Sequence, residues 1–326
     1  MVTPSFRRTC LAVASLLVLT THALAQDFPS RVIRIINPYP AGGSVDATAR
    51  ILAQKLSENL KSQVIVESRT GAGGNVGSDF VAKSEPDGYT LLYTAPGPLT
   101  VNQTLYHKGL PFNAERDFAP IALVATSPLV MMVHPGVAAK DVKELIALAN
   151  KNPGKMNFAS AGMGTTPHLS GELFKSLAHV NIQHVPYRGT GPAMQDLIAG
   201  HMQIMFDLLP TSLPLIEAGK VRALANAGAT RPRSLPNLAT VAEQGVPGFS
   251  TSSWFGLVAP AKTPRPVLDK LIAEVKKAIA SPDIDARLRK LGLEPGTAFG
   301  KDFAVFMQAE TTKWAKVIKE SGAKVD

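Results

Sequence analysis

Residues 37–46, Asn-Pro-Tyr-Pro-Ala-Gly-Gly-Ser-Val-Asp, offer chemistry without a catalytic side chain. They follow a strand-like run at 31–36 and lead into a helical stripe at Ala49, Leu52, Ala53, Leu56 and Leu60. A strand that ends in small residues and opens a helix leaves backbone N–H groups pointing outward, with the positive end of the helix dipole behind them. Such a turn holds an anion with no charged group of its own. Tyr39, Ala41, Gly42, Gly43 and Ser44 are therefore candidate ligand contacts. Asp46 is a candidate of another kind. A carboxylate aimed into an anion seat would repel its occupant, so Asp46 binds a ligand amino group, orders water or orients the loop amides.

The same device recurs at 160–168, where a strand at 155–159 runs into Ser-Ala-Gly-Met-Gly-Thr-Thr-Pro-His. Pro167 suits the first helical turn, which makes Thr166 the expected N-cap. Ser160 and Thr165 carry hydroxyls able to donate to a carboxylate oxygen, and Gly164 permits close approach. Two such turns facing each other across a gap would hold a small molecule with two acidic groups. Three further candidates lie at or just past the ends of expected strands, where open α/β sheets bind ligands. They are Thr94, Tyr187 as a cleft wall, and Asp207, which contacts a ligand amine or caps a neighbouring loop.

Other chemistries find little support. The glycines at 71–77 resemble a phosphate loop, but Val76 occupies the third glycine position of G-x-G-x-x-G, which argues against a dinucleotide. His179 and His184 have no third ligand nearby, so no metal is expected. G-x-S-x-G is absent, and a triad of Ser44, His168 and Asp207 has no motif behind it. The expectation is a binding protein without enzyme activity or cofactor.

Arg7 and Arg8, the apolar run 11–20 and Ala23-Leu-Ala25 together read as a secretory signal peptide, residues 1–25, cleaved before Gln26. Its removal from the 326-residue chain takes away the single cysteine, Cys10, and with it any disulfide, thiolate nucleophile or cysteine metal site. Two arginines and no acid go with it, lowering the net charge from +9 to +7. That excess favours anions mildly, yet no basic run or aromatic-basic interleaving suggests nucleic acid.

From residue 31 on, short β-branched runs alternate with helical stretches, the pattern of an α/β fold with mostly parallel strands. Strands are expected at 31–36, 64–67 and 89–94, then at 129–134, 155–159, 182–185, 202–206, 221–225 and 254–258. Helices are expected after each small-residue turn, with Leu169, Leu173 and Leu177 as the buried stripe of one, and across 264–280, 284–291 and 303–320. The tail has no strand of its own beyond 258, so it must pack on the first sheet. Residues 26–127 and 250–326 thus form one domain and 128–249 the other, with crossings near Thr126 and Ser250.

The ordered set 38–46, 67–77, 86–89, 160–168, 185–189, 205–207 and 253–257, closing on 321–326, resembles the Bug, or TctC-like, extracytoplasmic solute receptors of tripartite tricarboxylate transporters. The likeness spans essentially the whole mature chain. It implies a two-lobed periplasmic-binding-protein fold of type II, a Venus flytrap hinged on two crossing segments. It also implies a small mono-, di- or tricarboxylate, aliphatic or aromatic, held by loop amides and hydroxyls at 39–46 and 160–166. Partners would be the membrane permease subunits or, alternatively, a sensor protein. The protein would act in the periplasm as a monomer. Asn37 and Tyr39 depart from the family's usual aliphatic residue and phenylalanine at the mouth of the first loop.

Overall fold

The structure, a computed structural model, describes residues 28–106, 109–323 and 325. The expected signal peptide lies outside the described residues. The first strands and helices are β1 (Ile33–Asn37), α1 (Ser44–Leu60), β2 (Val64–Ser68), α2 (Asn75–Ala82) and β3 (Thr90–Thr94). Short helices α3 (Asn102–Leu105) and α4 (Ala114–Asp117) lead to the 16-residue strand β4 (Phe118–Val133). Then come α5 (Val142–Lys151), β5 (Asn157–Ser160), α6 (Thr166–Ala178), β6 (Gln183–Pro186), α7 (Thr190–Ile198), β7 (Ile204–Leu208), α8 (Leu209–Glu217) and β8 (Arg222–Asn226). Strand β9 (Ser252–Pro260), α9 (Arg265–Ile279), α10 (Pro282–Lys290), the two-residue β10 (Glu294–Pro295) and α11 (Lys301–Ser321) complete the chain. Among the described residues no helix is long and apolar enough to cross a membrane.

Strand order is β2-β1-β3-β9-β4-β7-β5-β6, with β8 and β10 also paired to β4. β1 lies parallel to β2 and β3, and β5 parallel to β6 and β7. β4 is shared by two lobes. From Phe118 to Pro128 it pairs antiparallel with β9, and from Leu129 to Val133 with β7. The chain therefore passes between lobes within β4 and again just before β9, giving the two-lobed α/β architecture. Sequence patterning located only residues 129–134 of β4, because Pro120 and Pro128 interrupt its β-branched run. The tail does carry a strand beyond 258: β10 pairs with β4 at Thr126 and Ala125.

Alternation and helical periodicity explain the cores. Ile33, Ile35, Leu91, Tyr93 and the α1 stripe Ala49, Leu52, Ala53 and Leu56 share one buried cluster. On α6, Leu169 and Leu173 are buried as expected, but Leu177 is 37% exposed. One cluster joins the lobes: Val101 and Leu105 from the first, Leu169 of α6 from the second, and Trp314 and Ile318 of α11. Trp254 is core rather than a stacking platform. Its ring lies edge-on to Phe303 and Phe306, and its Nε1 donates to Glu310 at 3.1 Å.

Candidate functional site

Between the lobes lies a chamber of about 460 Å³. Both small-residue turns line it: Tyr39 to Val45 from the first lobe, and Ala161 with Thr165 to Pro167 from the second. Each opens a helix. The N-cap of α1 is Gly43, and that of α6 is Thr165 rather than the expected Thr166. Thr165 does not cap with its hydroxyl, because Oγ1 donates to the Gly162 carbonyl at 2.7 Å. Two more helices point their N-termini at the same chamber, which is lined by Gly189 to Gly191 at the start of α7 and by Leu208 and Thr211 at the start of α8. None of these four N-termini has a side-chain cap hydrogen bond. Their first-turn N–H groups have no partner within their own helices and are the natural seat for an anion.

The lobes touch around this chamber. Ser44 Oγ donates to Thr211 Oγ1 at 3.4 Å, and Thr166 Oγ1 donates to Ser253 Oγ at 3.3 Å. Gly189 packs so closely on Pro40 that a Cβ would meet the ring at 2.8 Å, and a Cβ on Gly73 would lie 2.4 Å from the Met163 carbonyl oxygen. This is a closed arrangement. Beyond the Pro40–Gly189 contact a second crevice of about 490 Å³ opens, and Tyr187, Arg188 and Tyr106 line it.

Asp46 accepts from the Gly42 amide at 3.0 Å and from Arg50 Nε at 3.1 and 3.0 Å. Burial alone would raise its carboxyl. Arg50 and the Gly42 amide outweigh that and hold it below the usual carboxylate range. It does not line the chamber; it braces the first turn. Asn37 Oδ1 accepts from the Tyr39 amide at 3.0 Å and fixes the same turn from the strand side.

The second turn is braced by two histidines. His168 Nδ1 accepts from the Gly164 amide at 3.2 Å, and His184 Nε2 shares a hydrogen bond with Ser160 Oγ at 2.7 Å. The rings stack at 4.2 Å. Burial pushes His168 down to about 4, with Lys175 adding to it, and pushes His184 down to about 3, with His168 and Lys175 adding. Both are neutral at ordinary pH and support the turn without adding charge. With Glu172 they place donor atoms within 4.8 Å of one another. One nitrogen of each ring is already bonded, however, to the Gly164 amide and to Ser160, and Glu172 already holds Lys175 at 2.8 Å. The arrangement suits a brace better than a metal shell.

Asp207 is fully buried behind the chamber wall. It accepts from the hydroxyls of Thr190 at 3.3 Å, Ser212 at 3.5 Å and Thr211, and from the Leu208 amide. Burial raises its carboxyl to about 6 despite these donors. Thr190 and Thr211 line the chamber with hydroxyls already committed to Asp207.

Of the residues singled out from sequence, Tyr39, Ala41, Gly42, Gly43, Ser44, Thr165 and Thr166 line the chamber. Asp46, Ser160 and Asp207 stand behind it, and Thr94 is buried and bonds the Tyr39 hydroxyl. Gly164 packs against Asn102, and Tyr187 belongs to the outer crevice, where its hydroxyl donates to Asp196. Ser44, His168 and Asp207 each bond other partners and form no triad. The starts of α7 and α8 are not among the candidates read from sequence, although Pro192 marks the first of these helices. Gly189-Thr-Gly-Pro192 has the composition of the first two turns and follows a strand, so its signal was available.

A closed two-lobed α/β fold with helix N-termini facing an interlobe chamber defines the class of solute-binding receptors. The chain belongs to the tripartite tricarboxylate transporter family receptors, whose family model matches residues 48–323. A relative from Pseudomonas sp. (strain P51), described as a UPF0065 protein in the tcbD-tcbE intergenic region, is 42% identical over 96% of this chain and 94% of its own. Among solved structures, Rhodopseudomonas palustris Rpa4515 with adipate matches at 36% identity and TM-score 0.88, over 91% of this chain and 99% of its own. The periplasmic binding protein BugD matches at 34% and 0.85, over 91% and 99%. MatC (Rpa3494) from the same Rhodopseudomonas species, with bound malate, matches at 32% and 0.85, over 89% and 100%.

Proposed function

We propose that this receptor works in the periplasm, closes over a small carboxylate and delivers it to the permease of a tripartite tricarboxylate transporter. The observation that carries the reading is the convergence of four helix N-termini without side-chain caps on one chamber. The carboxylates bound by the Rhodopseudomonas neighbours agree with it. The moving bodies are residues 26–127 with 250–326, and 128–249. Closure brings Ser44 to Thr211 and Pro40 to Gly189, contacts that only the closed state makes.

Thermal denaturation of the mature chain with a panel of carboxylates tests the reading. A ligand at 100 times its Kd should add about 2.7 kcal/mol to stability and raise Tm by several degrees. A panel with no stabilising carboxylate would refute it. Co-purification of permease subunits in the presence of that ligand tests delivery.

The first turn gives a milder test. Gly42 has φ +84°, and an added Cβ there meets nothing within 4 Å. Gly42→Ala should therefore show only backbone strain, about 1 kcal/mol, and weaken ligand binding about fivefold by calorimetry. An unchanged Kd would mean that the strain does not reach the bound state.

A further inference from the structure

We infer that the ligand of this chamber is a monocarboxylate with an apolar body about as long as two helical turns, not a short dicarboxylate. This rests on the carboxylate-receptor reading above and narrows it. The helix N-termini that would hold an anion are gathered at one end, as the contacts of their first residues show. Ser44 at the start of α1 bonds Thr211 at 3.4 Å, and Thr211 and Thr190, near the starts of α8 and α7, share the Asp207 carboxylate. The second turn joins them, because the Gly189 amide donates to the Ala161 carbonyl at 3.1 Å. The two turns thus serve one seat, where sequence alone suggested two acidic groups.

From that seat the chamber runs along α7 and α8. Met194 and Ile198 line it from α7, Leu215 from α8, and Leu208 from the end of β7 just before it. Along α7 the lining from Gly191 at the seat to Ile198 covers a rise of about 10 Å, and along α8 that from Thr211 to Leu215 about 6 Å. Ile198 and Leu215 stay only half-buried at its far end. Among the described residues, no lining side chain is charged, and the one polar lining residue on the inner turns of α7 is Gln195, itself exposed. A second carboxylate among Met194, Ile198 and Leu215 would lose hydration with no cation to replace it. A methylene placed there instead leaves water for an apolar wall, which tightens binding about fourfold per group.

Calorimetry on the mature chain with butyrate, hexanoate and phenylacetate, against succinate, adipate and malate, tests this directly. Hexanoate should bind at least tenfold more tightly than adipate, and affinity should climb from butyrate to hexanoate. Leu215→Lys should reverse the order, weakening hexanoate and strengthening adipate; Ile198→Lys repeats the test at the facing stripe if the first variant fails to fold. Adipate or malate binding more tightly than hexanoate in the native chain would overturn the inference and leave the carboxylate reading intact. No binding by either series would overturn both.

Discussion

Gly164→Val is expected to reduce ligand affinity at least about 100-fold while leaving both lobes folded. Gly164 sits at φ +76°, a region in which a β-branched residue is strained by about 1–3 kcal/mol. Its Cβ would lie 2.3 Å from Asn102 Oδ1 and 3.3 Å from Leu105 Cδ2. Asn102 has nowhere to go: it is fully buried, and its Nδ2 donates to Asn75 at 2.6 Å. Breaking that bond would cost about 1–3 kcal/mol more. The easier response is for the 160–166 turn to move. That displaces the first amides of α6 and loosens the Gly164 amide from His168. The lost energy then falls on the bound, closed state rather than on the fold. Calorimetry with the best ligand of the panel and a melting curve without ligand separate the two. A Kd within threefold of the native value would mean that this turn does not hold the ligand. The contrast with the mild Gly42→Ala follows from surroundings, since both glycines have positive φ but only Gly164 faces a fixed wall.

That contrast shows what the sequence could and could not reveal. Both turns were legible because a strand-like run, β-branched at 31–36 and apolar at Met156 and Phe158, followed by small residues and a helical stripe, dictates an open helix N-terminus whatever packs around it. The family's order of motifs added the two-lobed fold. Depth was not legible. Ser160, Thr94 and Asp207 lie at or beside strand ends, where a one-residue difference in register decides between lining the chamber and standing behind it. Asp207 falls inside β7, which extends to Leu208, two residues beyond the expected strand. The start of α8 escaped notice because Leu209-Pro-Thr-Ser-Leu-Pro214 carries two prolines, and Pro214 lies within the helix. In the sequence His184 pairs with His179, five residues away. Its working neighbour is His168, brought to it by α6 packing over β6.

The Asp207→Asn variant should grow more stable relative to the native protein as pH rises, by about 3 kcal/mol between pH 4 and pH 8. Asp207 has four donors, yet its carboxyl is raised from 3.8 to about 6, because complete burial penalises the charge more than those donors favour it. A carboxyl raised on folding contributes stability that is fully present below pH 3.8 and is lost as pH rises through 6. A shift of that size corresponds to about 3 kcal/mol. His168 and His184 work the other way. Lowered by burial from 6.5, they favour the fold above that pH and weaken it on acidification. Both proteins carry them, so their share cancels in the difference between two urea-denaturation series. Parallel stability curves from pH 4 to 8 would show that Asp207 does not titrate in this window. The same carboxyl should reach the ligand through its hydroxyls. While Asp207 is ionised, Thr190 and Thr211 both donate to it and present only lone pairs to the chamber. Once protonated it can donate to one threonine, whose own proton then turns toward the carboxylate. Native affinity should rise several-fold from pH 8 to pH 5 for a ligand that stays ionised. It should stay flat in Asp207→Asn, where the amide makes that donation at every pH.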